Sequence, residues 1–566
     1  MNSISDENTT LALLGDEAVA LGAIHAGLSA AYGYPGTPST EIMEFLIDRA
    51  ESQTANNIIA AWCSNEKTAM EAALGASFAG KRSLVTMKHV GLNVAADPFI
   101  NSALLDINGG LVVAVADDPG MHSSQGEQDS RFYANYAMVP CLEPRSQQEA
   151  YDMCMEAFEV SENFHLPVML RLVTRLSHAR AAVKTKTAVA QNPLSKIKDK
   201  TRWMLLPAYA RRNYNDLIEK QKKLAEWSAS NPANKLETKD RDMEFVIITS
   251  GLGGNYYEEN IEDFYAQINA VNKQKKMPAR LHIGVYPVPE NSIRTLCANA
   301  KKILIIEEGQ PVIEERLTGI LPLSSGGQTI SVSGKLDNTI NRTGELDPDN
   351  VRKSLGLPPR QSVLNNSIKL PELPGRPPQL CQGCPHGDSY QAINKAVAEL
   401  DPSTNHADTA ICSDIGCYSL GAVPPYSAIE SIVCMGASVG MAKGSGDAGI
   451  KYALAVIGDS TFLHSGITGL VDAVQSNTPM TVIILDNSIV AMTGCQKTII
   501  PSEKLKGLIL GLGVDPDHVL ELEAKNQFLE ENTNLLKKEM EYRGLSVVIF
   551  KRVCIEAFRK QRKIKS

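Results

Sequence analysis

Between Leu11 and about Val183, short apolar runs rich in β-branched residues alternate with small-residue helical stretches; Leu84 to Met87, Leu111 to Ala116 and Pro167 to Val173 are examples. Runs that stay apolar, rather than alternating, predict strands buried on both faces, so residues 1–190 read as a parallel sheet wrapped by helices. Near residue 190 the pattern turns charged and helical, through KIKDKTRWMLLPAYARRNY and LIEKQKKLAEWSASN. This predicts a connecting helical arm over 191–240, with a partner contact as the alternative. A second α/β block opens at Met243, continues through Leu281 to Tyr286 and has a third strand from Lys302 to Glu307, which predicts a compact three-strand unit over 241–340. Residues 341–378, rich in Pro, Asn and Gly and including PELPGRPPQ, read as a linker. The last block, 379–566, again carries the pattern of a doubly wound sheet. The expected fold class is α/β: two doubly wound parallel-sheet domains with a smaller α/β domain between them, and no short-period repeat.

The length fits several domains, because 566 residues exceed the roughly 250–300 that one core usually organises. Hydrophobic residues at 43% and charged residues at 21% are an ordinary globular balance. A net charge of -8 and a pI near 5.8 exclude a general attraction to nucleic acid or anionic membrane, which needs clustered Lys and Arg. The basic segments Lys551-Arg552 and Arg559-Lys560-Gln561-Arg562-Lys563 read as a solvated end. The opening MNSISDENTT has no basic stretch before an apolar core, and no apolar run reaches the roughly eighteen residues of a membrane span. A soluble cytoplasmic protein is expected. In a reducing cytosol the eleven cysteines point to thiols or metal ligands rather than disulfides.

The sharpest local signal is an apolar run, Tyr452 to Ile457, leading straight into Gly458-Asp459-Ser460, then a helical stretch, then a second run, Met480 to Leu485, ending in Asp486-Asn487. Two parallel strands ending in an acid and an amide place oxygen ligands side by side at the carboxyl edge of a sheet, where open α/β sheets bind ligands. Magnesium takes such hard oxygens, with phosphates and water completing its shell. Gly458 would let the backbone approach a diphosphate, and the N–H groups opening the next helix, from Ser460 on, would face its charge. A lone Gly-Asp-Ser is most often a turn. With 26 residues between it and Asn487, and strands on both sides, it resembles the thiamine-diphosphate motif. That resemblance implies magnesium held by Asp459, Asn487 and the carbonyl of Ile489.

Such enzymes also need a carboxylate on a separate domain, hydrogen-bonded to the aminopyrimidine. Burial suits it, by raising its pKa until it can share a proton. Glu66, in Asn65-Glu66-Lys67-Thr68-Ala69-Met70, follows the apolar run Ile58 to Trp62 and opens a small-residue helix. Taken alone it is a charge in a first helical turn, which the helix dipole favours. Its neighbourhood decides otherwise. NEKTAMEAALGAS, TMKHVGLNVAADP (Thr86 to Pro98), DDPGMHSSQGEQDSR (Asp117 to Arg131) and YGYPGTPSTEI (Tyr32 to Ile42), with VYPVPENSI, IIEEGQPVIEERL, LCQGCPHG and CSDIGCYSLGA further on, resemble the large subunit of the indolepyruvate ferredoxin oxidoreductases over nearly the whole chain. The resemblance implies a pyrimidine-binding domain first, a transketolase-C-like domain second and a diphosphate-binding domain last, with Glu66 as the activating glutamate. The turn Gly36-Thr37-Pro38 resembles the substrate-binding Thr-Pro turn of the wider 2-oxoacid oxidoreductases, and fits equally a turn shaped by Gly and Pro. Where many relatives place an arginine for the substrate carboxylate, this chain reads Met121-His122-Ser123-Ser124-Gln125, leaving His122 or hydroxyls such as Ser124 to replace it.

Cys381-Gln382-Gly383-Cys384 opens the last block, with Cys417 in Ile415-Gly416-Cys417 and Cys554 late in the chain. By analogy with related enzymes, Cys381, Cys384, Cys417 and Cys554 hold a four-iron four-sulfur cluster; buried structural thiols are the alternative. The family's C-terminal ferredoxin-like runs of Cys-x-x-Cys-x-x-Cys-x-x-x-Cys-Pro do not occur in these 566 residues. The expectation is then a separate iron-sulfur carrier, or a chain that no longer uses ferredoxin. The implied reaction is oxidative decarboxylation of an arylpyruvate to its acyl-CoA, by a dimer of heterodimers with the family's small subunit. A non-oxidative 2-oxo acid decarboxylase or carboligase is the alternative enzyme, and a scaffold that lost the chemistry is the reading from another class.

Overall fold

The apolar runs Ser83–Lys88, Leu111–Asp117 and Val168–Val173 form neighbouring parallel strands, nearly every residue of which is buried. The computed structural model describes residues 8–52, 57–271, 276–320, 330–360, 379–403 and 406–559. The chain divides into two units, Met1–Ile368 and Lys369–Ser566.

The first unit holds two main sheets. One has seven strands in the order Val285–Tyr286, Cys141–Leu142, Val168–Val173, Leu111–Asp117, Ser83–Lys88, Ala30–Gly33, Ile59–Trp62. All pair in parallel except Val285–Tyr286, which runs antiparallel to Cys141–Leu142. Strand order reverses between Ala30–Gly33 and Ser83–Lys88, so the loops at their carboxyl ends open a crevice where such sheets bind ligands. Helices Gly15–His25, Thr40–Glu51, Glu66–Phe78 and Gln147–Phe164 belong to this layer, and a small antiparallel pair, Thr10–Leu14 with Arg180–Lys184, accompanies it.

The other sheet has five strands, in the order Ser331–Ser333, Lys302–Ile306, Asp242–Ser250, Pro278–Ile283, Lys235–Glu237. The expected three-strand unit is thus corrected twice. Short strands too small to show in a hydrophobic pattern are added at both edges. The run expected over Leu281 to Tyr286 also breaks at Gly284, sending Pro278–Ile283 into this sheet and Val285–Tyr286 into the other. A Cβ at Gly284 would fit tightly, 3.1 Å from both the Ala233 side chain and carbonyl. The helical arm is Pro207–Ser230. Its Leu217 and Leu224 are buried, and Ser228 donates to the carbonyl of Pro287. The linker reading also fails over 341–360: Pro348–Ser354 is helical, and Leu346, Val351, Leu355 and Leu357 are buried in the core of this unit. Proline and asparagine around them hid these apolar anchors. Residues 361–378 lie outside the described residues.

A buried ion cluster ties the two sheets together. Arg131 pairs with Asp129 at 2.6 Å and Glu307 at 3.1 Å, donates to the hydroxyl of Tyr286, and caps the carbonyls of Glu308 and Gln310. Arg171 pairs with Asp117 at 2.7 Å and with Glu143, and Tyr286 donates to Glu143. Burial pushes Glu307 up to about 7 against the pull of Arg131, while Asp129, facing both arginines, is held low despite its burial. Two cations thus face four acids.

The second unit is a six-stranded, wholly parallel sheet in the order Ser431–Ile432, Thr409–Ser413, Tyr452–Gly458, Met480–Asp486, Leu545–Lys551, Val519–Glu523. Its order reverses between Thr409–Ser413 and Tyr452–Gly458. Among the described residues no helix is long and apolar enough to cross a membrane.

Removing one partner of a buried ion cluster leaves the others uncompensated. Arg131→Ala is therefore expected to destabilise the first unit by about 3–5 kcal/mol, read as a lower urea midpoint. An unchanged midpoint would mean that the cluster does not hold the two sheets together.

Candidate active site

In the second unit, parallel strands Tyr452–Gly458 and Met480–Asp486 pair directly and deliver Asp459, Asp486 and Asn487 at their carboxyl ends. Asp459 accepts from the backbone N–H groups of Ser460 and Ser488, each at 2.8 Å. Burial, and then the neighbouring Asp486 carboxylate, push Asp459 well above the usual carboxylate range. Asp486 is held by the hydroxyl of Ser502 and the N–H of Ser488. Two acids this close favour a divalent cation between strand ends. The Asp459 carboxylate, the Asn487 amide oxygen and the Ile489 carbonyl are the hard donors such a cation takes. Ser488 turns through a φ of 65°, and Ile489 opens a short hairpin with Lys497.

Gly458 has a second reason to lack a side chain. A Cβ there would lie 2.5 Å from the ring of Tyr418, and one at Gly416 would lie 2.2 Å from it. Tyr418 donates to Asp414, which burial pushes up to about 6 although Ser438 also donates to it. The helix opened by Asp459 widens into a π-type turn at Phe462–Gly466, a distortion frequent at functional sites.

The cysteines named from the sequence gather beside Asn487. Its side-chain amide nitrogen lies 3.2 Å from Nε2 of His386 and donates to Cys417 Sγ at 3.8 Å, and its backbone carbonyl accepts from the N–H of Cys554. His386 Nε2 lies 3.3 Å from Cys417 Sγ. Burial pushes His386 down to about 4, so the ring is neutral and Nε2 can accept from Asn487. Cys381 and Cys384 form a turn through Gly383 at φ 79°, and Cys384 caps the helix Pro385–Leu400. Burial, with the charges of the neighbouring cysteines, raises the thiols of Cys384, to about 11, and Cys417. Among the described residues no three His, Cys, Asp or Glu side chains close on a single metal ion. His386 was not singled out from the sequence, although the quoted LCQGCPHG contains it.

In the first unit, Glu66 opens helix Glu66–Phe78 behind the cap Asn65, whose side chain accepts from the N–H of Thr68. Its residue is only 4% exposed. Gly91 makes room for it: a Cβ there would lie 2.5 Å from Glu66 Oε1. The turn Gly36-Thr37-Pro38 is braced by Ser39 donating to the Gly36 carbonyl, and the carbonyl of Thr37 accepts from Ser123 Oγ at 3.0 Å. Asp118 organises the facing loop. It accepts from the hydroxyls of Ser124 at 2.6 Å and Thr174 at 2.8 Å, and from the N–H of Ser123 at 2.8 Å. Burial acts to raise the Asp118 carboxyl, but these bonds and the charge of Lys88 hold it below the usual range. Thr37 and Ser124 thus meet through Ser123 and Asp118. His122 turns instead to Glu345 at 3.4 Å, its side chain 53% exposed. Asp118, Gly91 and Lys88 escaped the sequence reading, since each looks like an ordinary strand-end acid, helix glycine or surface lysine.

Residues 21–244 match the family model described as pyruvate flavodoxin/ferredoxin oxidoreductase, thiamine diphosphate-binding, and residues 414–548 match the C-terminal binding domain of thiamine pyrophosphate enzymes. The indolepyruvate oxidoreductase subunit IorA of Archaeoglobus fulgidus is 36% identical over 97% of this chain and 87% of its own length. That of Methanothermobacter thermautotrophicus is 35% identical with the same coverage, and that of Thermococcus kodakarensis is 34% identical over 96% of this chain and 85% of its own. The chain therefore belongs to the family of the indolepyruvate oxidoreductase subunit IorA and is a thiamine-diphosphate-dependent oxidoreductase.

Proposed function

We propose that this chain catalyses oxidative decarboxylation of an arylpyruvate, the indolepyruvate type of 2-oxo acid, to its acyl-CoA. In balance, the 2-oxo acid and the thiol of coenzyme A give acyl-CoA, carbon dioxide, one proton and two electrons. The electrons pass to an iron-sulfur carrier such as ferredoxin. The chain works with the small subunit of the oxidoreductase as a dimer of heterodimers. One observation carries this reading over non-oxidative decarboxylation: Asn487, the proposed metal ligand, is bonded on one side to the neighbourhood of Asp459 and on the other to His386, Cys417 and Cys554. The residue that would hold the diphosphate metal thus also braces the cysteines that would take up electrons.

Thiamine diphosphate, when bound, supplies the carbon nucleophile and the electron sink that loss of carbon dioxide requires. The residues do the rest. Asp459, Asn487 and the Ile489 carbonyl hold magnesium, while Gly458 and Ser460 face the diphosphate at the start of their helix. Glu66, buried against Gly91, would hydrogen-bond the aminopyrimidine of the bound cofactor and serve as its acid-base partner. Thr37 and Ser124 bound the substrate end, with the loop that Asp118 shapes, while His122 is turned to Glu345. Cys381, Cys384, Cys417 and Cys554 hold one four-iron four-sulfur cluster, and His386 packs against its Cys417 ligand.

Anaerobic protein, co-purified with its small subunit, is expected to carry about four irons and four sulfides per chain, and its visible absorption to bleach when an arylpyruvate and coenzyme A are added. Iron-free protein that releases an aldehyde without an acceptor would replace this reading by the non-oxidative one. Glu66→Gln should lower kcat by about 10²- to 10⁴-fold with the iron content unchanged. Cys417→Ser should do the reverse, losing iron while still binding thiamine diphosphate in a magnesium-dependent titration. Asp459→Asn should abolish that magnesium dependence, and its persistence would move the metal elsewhere.

A further inference from the structure

Lys88 ends the strand Ser83–Lys88 at the point where strand order reverses in the seven-stranded sheet, the place such sheets offer to ligands. Its stem lies along the Gly36 backbone: a Cβ at Gly36 would meet Lys88 Cδ at 3.2 Å and Cγ at 3.3 Å. Its ammonium donates to the Ser123 carbonyl at 3.0 Å, and the hydroxyl of the same Ser123 bonds the Thr37 carbonyl. The charge is therefore fixed between the Gly36-Thr37-Pro38 turn and the 121–125 loop. Among the described residues no carboxylate forms an ion pair with it. Asp118 and Glu66 are the acids whose charge it feels; the oxygens of Asp118 are bonded to Ser123, Ser124, Thr174 and the N–H of His122, so it supports the ammonium through charge rather than through a direct bond. The bond to the Ser123 carbonyl is solvent-exposed and uses one of the three N–H donors of the ammonium, so the others face the crevice. Burial lowers Lys88 to about 8, with Asp118 and Glu66 opposing, so it is still largely cationic at neutral pH.

The other cations of this region are committed. Arg175 forms a bidentate pair with Glu345, which also holds His122, and Arg131 and Arg171 belong to the buried cluster. Burial lowers His89, whose Nε2 is bonded to the Gly126 carbonyl. We propose that the Lys88 ammonium receives the carboxylate of the 2-oxo acid, the Thr37 turn and the Ser123–Ser124 hydroxyls flanking it. This rests on the 2-oxo acid reading above and names the cation of that site, so the substrate enters with its carboxylate toward the end of Ser83–Lys88.

The test uses the co-purified complex with Lys88→Met, Lys88→Gln and Lys88→Arg. Phenylpyruvate is the charged probe, and its methyl ester, which cannot lose carbon dioxide, is the neutral competitor. Loss of one charged hydrogen bond is expected to raise the KM, and the calorimetric Kd, for phenylpyruvate about 10- to 100-fold in Lys88→Met and Lys88→Gln. The inhibition constant of the ester and kcat should stay nearly unchanged, and Lys88→Arg should recover part of the affinity. A KM and Kd that do not move would overturn the proposal. So would equal weakening of the ester, which means a distorted pocket, or a fall in kcat with both affinities intact, which means that Lys88 acts through Glu66. If the unaltered complex fails to turn over phenylpyruvate, the function reading falls by itself, and the Kd ratio between the unaltered and Lys88→Met proteins still decides the role of Lys88.

Discussion

The first unit depends on keeping two guanidinium groups charged inside a dry core. Arg131 and Arg171 reach that state only because Asp117, Asp129, Glu143 and Glu307 arrive from both sheets, and each acid is tolerable only because the arginines are there. The consequence reaches the crevice. Asp117 is locked by Arg171 and by the N–H of Ser130, which sets the end of the strand Leu111–Asp117. The next residue, Asp118, is thereby aimed the other way, where it gathers Ser123, Ser124 and Thr174 into the loop that holds the Lys88 ammonium. A cost borne in the core is turned into precision at the sheet edge.

The second unit solves a different problem. Its sheet is wholly parallel. Its strain lies in the like charges of Asp459 and Asp486 at adjacent strand ends, together with raised thiols nearby. Those features are unfavourable in the bare protein and favourable around cations, which is the pattern expected where metal and redox groups bind. Asn487 sits at the meeting of the two sets and allows the proposed magnesium and iron-sulfur sites to be read as one device.

Much of this was legible in the chain. Apolar runs such as Leu111 to Ala116 and Tyr452 to Ile457 could only be buried parallel strands, because they present no polar face, and the Gly458-Asp459-Ser460 and Asn487 signals follow from strands that end in oxygen donors. What escaped was whatever depends on partners distant in sequence. The break at Gly284 shows only in the pairing of Val285–Tyr286 with Cys141–Leu142 in the other sheet. The burial of Leu346, Val351, Leu355 and Leu357 was masked by a composition typical of linkers. Gly91 reveals its purpose only against Glu66, and Gly458 only against Tyr418.

The sequence by itself determined the α/β class, the family, the thiamine-diphosphate chemistry and the residue types that chemistry needs, since periodicity and short motifs are local properties carried by neighbours along the chain. Only the tertiary structure decided which charged groups are ion-paired and which are not. Whether an ammonium or carboxylate is free for a ligand depends on what hundreds of residues place within hydrogen-bonding reach, and nothing local distinguishes Lys88, held on one carbonyl at a strand end, from Arg175 or Arg131, whose charges are already answered.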